Sequence, residues 1–96
     1  AGPMISAIVL IHAESAKIPQ VAQSIAEIPG IEKVYSTAGA VDLIAIAQVE
    51  RHEDFADVIA DRLYKVQGVT DTETHIAFRT YSADDEAQAF AIGLDG

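Results

Sequence analysis

No cysteine, tryptophan or asparagine occurs among the 96 residues. Without cysteine there is no disulfide framework, thiolate metal centre or thiol nucleophile, and a reducing, cytoplasmic compartment is expected. Basic residues are few: six Lys and Arg stand against fifteen Asp and Glu, for a net charge of −9. Lys17, Lys33, Arg51, Arg62, Lys65 and Arg79 are scattered, and acids flank most of them. A nucleic-acid surface needs clustered positive charge, so direct binding of DNA or RNA is not expected. No apolar run approaches the roughly 18 residues of a membrane span, and no secretory leader is recognisable. The three histidines, His12, His52 and His75, fall in separate segments without ligand spacing, so neither a metal nor a cofactor is expected. His12 and His75 would approach each other if the first and last strands pair, and His52 is placed to cap a helix.

Half of the residues are apolar, and their spacing defines the elements. Residues 1–4, Ala1-Gly2-Pro3 ahead of Met4, read as a remnant of expression and the start of the chain. Ile5 to Ala13 alternates as a strand, with Ile8 and Leu10 apolar on its second face. Ile18, Val21, Ala22, Ile25 and Ile28 recur at helical spacing from about Lys17, with Pro19 tolerated in the first turn. Pro29-Gly30 ends that helix. Ile31 to Ser36 is a second strand, with Ile31, Lys33 and Tyr35 expected on one face and Val34 on the other. Val41 to Val49 is a third, apolar on both faces. A second helix runs from about Glu53 to Val66, its stripe formed by Phe55, Val58, Ile59, Leu63 and Val66. Gly68 ends it, and the last strand is expected from Val69 to about Tyr81. In the tail, residues 83–96, Ser82 and Asp85 read as a capping pair, and Ala87, Phe90, Ala91 and Leu94 share one stripe. A short helix or an ordered arm is expected there. The six aromatics, Tyr35, Tyr64, Tyr81, Phe55, Phe78 and Phe90, are expected in the core or in interfaces.

The two halves repeat. Val21 matches Ile59, Ala22 matches Ala60, Ile25 matches Leu63, Ile28 matches Val66, Gly30 matches Gly68 and Ile31 matches Val69, each pair 38 positions apart. Two β-α-β units in tandem give β-α-β-β-α-β, an α+β ferredoxin-like fold with an antiparallel four-stranded sheet and both helices on one face. The uncovered face of such a sheet should be polar in a monomer. Here the first and third strands are apolar on both faces, so a cover is needed, and a second copy of the chain is the economical one. A tail folded back over the face is the alternative.

Residues 5–82 resemble the C-terminal effector-binding (RAM) domain of the Lrp/AsnC transcription regulators. The resemblance rests on Pro29-Gly30-Ile31, Val34-Tyr35, Thr37-Ala38-Gly39-Ala40-Val41-Asp42-Leu43 and Gly68-Val69. Full-length members carry a helix-turn-helix that this sequence does not show, so it resembles the stand-alone RAM proteins. Where the family usually has an aromatic before the aspartate, this chain has Val41. The resemblance implies sheet-on-sheet homodimers, assembly into octamers of four dimers, and amino-acid effectors held between dimers near the Gly39 loop. Full-length Lrp/AsnC regulators are the partners it suggests.

A free amino acid needs an acceptor for its ammonium and donors for its carboxylate. Asp42 is a lone carboxylate at the start of a strand, beside a glycine turn whose N–H groups can face an anion. Thr37 adjoins that turn. Thr72 and Thr74 alternate on the last strand and can donate hydroxyls. By motif position, Gly39, Val41 and Asp42 match the family's effector loop, and Thr72 and Thr74 match its last strand more loosely. The candidate ligand site is therefore Thr37, Gly39, Val41, Asp42, Thr72 and Thr74. Asp42 could instead bond its own turn, and the threonines could reflect strand propensity. The leading function is a non-catalytic amino-acid-binding and oligomerisation module. A purely structural assembly unit is a second reading. A small dimeric ferredoxin-like barrel enzyme is a third, set against by the aliphatic lining of the helix stripes and facing strands.

Overall fold

The computed structural model describes residues 4–83. Its elements follow the duplicated order: β1 (Ile5–Ala13), α1 (Ile18–Ala26), β2 (Ile31–Ser36), β3 (Leu43–Val49), a second helix (Ala56–Arg62) and β4 (Val69–Ile76). The sheet order is β2-β3-β1-β4, with every neighbouring pair antiparallel. This is the α+β ferredoxin-like architecture. The expected tail helix, with Ala87, Phe90, Ala91 and Leu94, lies outside the described residues.

One face of the sheet carries the core. Ala7, Val9 and Ile11 of β1 and Leu43, Ala45 and Ala47 of β3 are fully buried against Val21 and Ile25 of α1 and Val58, Ile59 and Leu63 of the second half. Small residues in the middle of β3 let the helices lie close. Both helical stripes are therefore those that the apolar spacing gives. The second helix differs in its winding. Ala56–Arg62 has π geometry and runs into a 3₁₀ turn at Leu63–Lys65. α1 is entered through a 3₁₀ turn at Ser15–Lys17, with Pro19 in its first turn where a missing N–H is harmless.

The repeat extends to details that spacing alone does not reveal. Ile31 pairs with Ala47 and Lys33 with Ile46, so Glu32 is an extra, bulged residue on β2. Val69 pairs with Ala13 and Asp71 with His12, so Thr70 is the extra residue on β4. Glu32 and Thr70 occupy matching places in the two halves. Gly30 O accepts from Gln48 N at 2.8 Å, and Gly68 O accepts from Glu14 N at 2.9 Å. Each half thus hangs the start of its second strand on the first strand of the other half.

The bulge corrects one expectation. Ile31, Lys33 and Tyr35 do not share a face, because the extra residue at Glu32 shifts the alternation. Ile31 is buried beneath the helices, whereas Lys33 and Tyr35 pair with Ile46 and Ile44 and so share their face, the one the helices leave open. β3 starts at Leu43 rather than Val41, and β4 ends at Ile76 rather than near Tyr81. Ala77 N still donates to Ser6 O, after which Phe78 and Tyr81 stand exposed.

The glycines that end the helices are held by reciprocal packing. Gly30 has φ +101°, and a Cβ there would lie 2.7 Å from Val58 Cγ2. Gly68 has φ +104°, and a Cβ there would lie 2.6 Å from Val21 Cγ2. Each glycine therefore sits under a valine from the other half's helix. Val58 is one residue short of the 38-residue match to Val21, within the more widely wound segment. Gly30→Ala should cost about 2–4 kcal/mol, combining left-handed backbone strain with overpacking. Urea unfolding should show part of that loss recovered in a Val58→Ala background, and an equal loss in both backgrounds would remove the packing contribution.

Candidate functional site

The loop Thr37–Asp42 joins the two halves at one end of the sheet. It is closed by its own groups. Thr37 N donates to Asp42 O at 3.0 Å, and Thr37 Oγ1 donates to Val41 O at 2.8 Å. Gly39 has φ +153°, and a Cβ there would meet nothing within 4 Å. The tip is therefore open to solvent, and Gly39 is set by backbone conformation rather than by a close neighbour.

Asp42 joins this loop to the first strand. Its N–H donates to Ile11 O at 3.0 Å, and its Oδ2 accepts from Ala13 N at 2.9 Å. The carboxylate thereby stands in for a backbone carbonyl one step beyond the last β1–β3 pair, Ile11 with Leu43. It satisfies a strand N–H at the point where β1 leaves the ladder. A carboxylate offers about four acceptor positions, so this bond does not exhaust it.

The threonines of β4 fall elsewhere. Thr72 pairs with Ile11 and Thr74 with Val9, so both side chains share the helix-covered face. β1 lies between them and the Asp42 loop, which places Thr72 two strand spacings, roughly 10 Å, from the loop's strand. Thr74 Oγ1 is buried without a hydrogen-bond partner. Thr72 instead lines an open groove of about 300 Å³ with Tyr64, Val69, Thr70 and Asp71. The structure thus gathers Thr37, Gly39, Val41 and Asp42 in one hairpin and sets Thr72 and Thr74 apart from it.

The histidines do not meet. His12 pairs with Asp71, while His75 pairs with Ile8, four residues further along β1. His75 instead contacts Glu73 on its own strand. His52 contributes its carbonyl to Phe55 N and sets its ring edge-on to Phe55 at 6.4 Å, with no side-chain cap on the second helix. Among the described residues no three His, Asp or Glu side chains gather as a metal ion would require. None of their helices is long and apolar enough to cross a membrane.

The residue that sequence reasoning missed is Ala13. Its N–H, 29 positions from Asp42, is the group that the carboxylate holds. Nothing in an alanine's sequence context signals that role.

A split β-α-β sheet with one face left uncovered by the described residues and a hairpin at its midpoint defines a ferredoxin-like module. The chain belongs to the Lrp/AsnC family: the Lrp/AsnC ligand binding domain matches residues 6–87. It is 36% identical over 61 residues to an uncharacterized HTH-type transcriptional regulator of Pyrococcus abyssi, covering 64% of this chain and 41% of the regulator. The chain therefore spans about two fifths of that relative's length. A crystal structure from Thermus thermophilus superposes with a TM-score of 0.77 at 36% identity, over 81% of this chain and 98% of the other. A transcriptional regulator of Neisseria meningitidis in complex with L-Met shares the fold, with a TM-score of 0.72 at 18% identity over 81% of this chain and 52% of that one.

Removing the carboxylate tests its place in the ladder. Asp42→Ala strands the half-buried Ala13 N–H and should cost about 1–3 kcal/mol. Asp42→Asn keeps an acceptor and should cost clearly less. Chemical denaturation of the two variants should rank them in that order, and equal stabilities would mean that the bond contributes nothing.

Proposed function

We propose that this chain is a non-catalytic, amino-acid-binding assembly module, acting in transcription regulation through ligand-dependent oligomerisation. The observation that carries the reading is the open sheet face. Ile8 and Leu10 of β1 and Ile44 and Ile46 of β3 point away from the helices, and Ile8 is 39% exposed. Full burial of such a side chain is worth about 1.5–3 kcal/mol. These are already partly covered by neighbours, so about 1 kcal/mol each is a fair share. Four from each of two copies give about 8 kcal/mol, which falls within the roughly 4–15 kcal/mol that association costs. Sheet-on-sheet pairing of two copies satisfies the face, and octamers of four such dimers would be the larger assembly.

The effector site in this reading is the Thr37–Asp42 hairpin, with Gly39 at its tip and half-buried Val41 at its closed base. The tip is open in one subunit, so a neighbouring subunit supplies the second wall. Asp42 retains acceptor capacity for an ammonium group, and the loop's N–H groups suit a carboxylate. Of the two β4 threonines only Thr72 reaches a groove, on the far side of β1, and Thr74 Oγ1 is buried. The Neisseria regulator's complex with L-Met makes a free amino acid the natural class to test. An amino acid has about ten heavy atoms, and at roughly 0.3–1.5 kcal/mol per atom a micromolar to millimolar affinity is reasonable. A full-length Lrp/AsnC regulator is the protein partner that such a module would join.

A thermal-shift panel of the twenty amino acids should raise the unfolding midpoint with at least one of them. The shift should be lost in Asp42→Asn, chosen because it keeps the Ala13 bond. A flat panel would favour a purely structural assembly unit, and a shift retained in Asp42→Asn would remove the carboxylate charge from the site.

A further inference from the structure

β1 ends on two hydrogen bonds that neighbouring residues make to opposite sides. Ala13 N donates to Asp42 Oδ2 at 2.9 Å, toward the hairpin between the halves. Glu14 N donates to Gly68 O at 2.9 Å, toward the joint between the second helix and β4. Glu14 is extended, with φ −62° and ψ 128°, and successive N–H groups of an extended chain point to opposite edges. Residues 13 and 14 are therefore a two-residue bridge from one joint to the other. The bridge lies where the β1–β4 register shifts, between His12 and Ala13.

The two bonds differ in kind. Gly68 offers a backbone carbonyl, placed by the chain itself. Asp42 offers a side-chain carboxylate, whose rotamer must be held. The Ala13 N–H is thus satisfied only while Asp42 points at it, and Asp42 is aimed by that N–H. Half-buried Asp42 makes no ion pair among the described residues. The other charged or titratable groups on the neighbouring segments are His12, Glu14, Lys17 and Asp71. Lys17 pairs with Glu14 at 3.3 Å, and His12 stands opposite Asp71 in the β1–β4 register. Oδ1 of Asp42 keeps its acceptor capacity for a cation from outside the chain.

The far end of the bridge is packed against α1. A Cβ at Gly68 would lie 2.6 Å from Val21 Cγ2 and 3.5 Å from Lys17 Cβ. A shift of Gly68 toward the helix therefore has to move the helix. Lys17 and Gln67, beside this joint, line an open polar groove of about 320 Å³ with Gln20 and Ser24. The matching joint of the other half, Gly30 O with Gln48 N at 2.8 Å, sits near the end of β3 remote from the hairpin. It provides an internal comparison.

We infer that Asp42 couples the hairpin to the α1 groove: an ammonium held at its Oδ1 fixes the carboxylate on the Ala13 N–H, and residues 13 and 14 pass that closure to Gly68. The inference rests on the proposed effector site at the hairpin and adds how its occupancy is relayed. By linkage the effect runs both ways. The N–H that aims the carboxylate readies the site, and a bound ammonium holds the N–H bond closed. The signal travels within one chain and emerges on the helical layer, away from the open sheet face.

Amide hydrogen exchange, followed residue by residue by NMR on the full chain, tests the coupling. The probes are the twenty free amino acids and their N-acetyl forms, which lack the ammonium. With at least one free amino acid, exchange at Ala13 and Glu14 should slow about tenfold while Gln48 keeps its rate. The N-acetyl form of that amino acid should slow neither. Equal slowing at Gln48 would mean general stabilisation and would overturn the coupling. An amino acid that raises the unfolding midpoint yet leaves Ala13 and Glu14 unchanged would overturn it too, with the effector reading intact. If none of the twenty changes either midpoint or exchange, both fall together. Ala13→Pro gives a second reading, since it removes the N–H and leaves the carboxylate. The folded variant should bind the same amino acid about three- to tenfold more weakly, because the ligand must then fix the Asp42 side chain itself. Unchanged affinity would contradict the aiming role, and if Ala13→Pro does not fold, the exchange rates alone decide.

Discussion

Two helices can cover only one face of a four-stranded sheet, and this chain makes its central strands apolar on both. Everything else in the structure follows from that mismatch. The covered face is complete within one chain: β1 and β3 supply alternate fully buried residues, and the two helical stripes close over them. The other face repeats the same aliphatic chemistry in Ile8, Leu10, Ile44 and Ile46, and no layer among the described residues matches it. A domain of this size buries only about two thirds of its unfolded surface. The proposed assembly would therefore add to folding itself as well as to function.

The duplication explains how so short a chain reaches a closed core. Each half contributes a strand to the centre, a strand to an edge and a helix above. The halves interlock at matched points, with Gly30 under Val58 and Gly68 under Val21, and with matched bulges at Glu32 and Thr70. The bulges have a second consequence. They shift the alternation of both edge strands, placing Lys33 and Tyr35 on the open face at one edge and Asp71, Glu73 and His75 at the other. The charged rim around the aliphatic centre is therefore a product of the same repeat that builds the core. The hairpin between the halves stays free of these packing demands at its tip, which is where the proposed effector site lies.

Most of the architecture was legible in the residues. Helical and alternating periods, Pro29-Gly30 and Gly68 as stops, and the 38-residue repeat were enough for the strand and helix order. The bulge at Glu32 was not, because a one-residue insertion leaves no compositional mark and reverses the face assigned to Ile31 relative to Lys33. The π winding of Ala56–Arg62 was equally silent, since its buried residues, Val58 and Ile59, also fit an α-helical stripe. The hairpin end of the candidate site was readable from Gly39 and Asp42. The separation of Thr72 and Thr74 from it was not, because their face depends on the second bulge and on β1 lying between. Asp42's bond to Ala13 is a contact between chain positions far apart, and only the fold brings them together.

The account depends on the uncovered face being occupied in solution. Sedimentation equilibrium of the wild-type chain across micromolar concentrations measures that directly. It should return a mass of at least twice the 10.2 kDa of one chain. A folded species holding at 10.2 kDa throughout, with its sheet face in water, would contradict it.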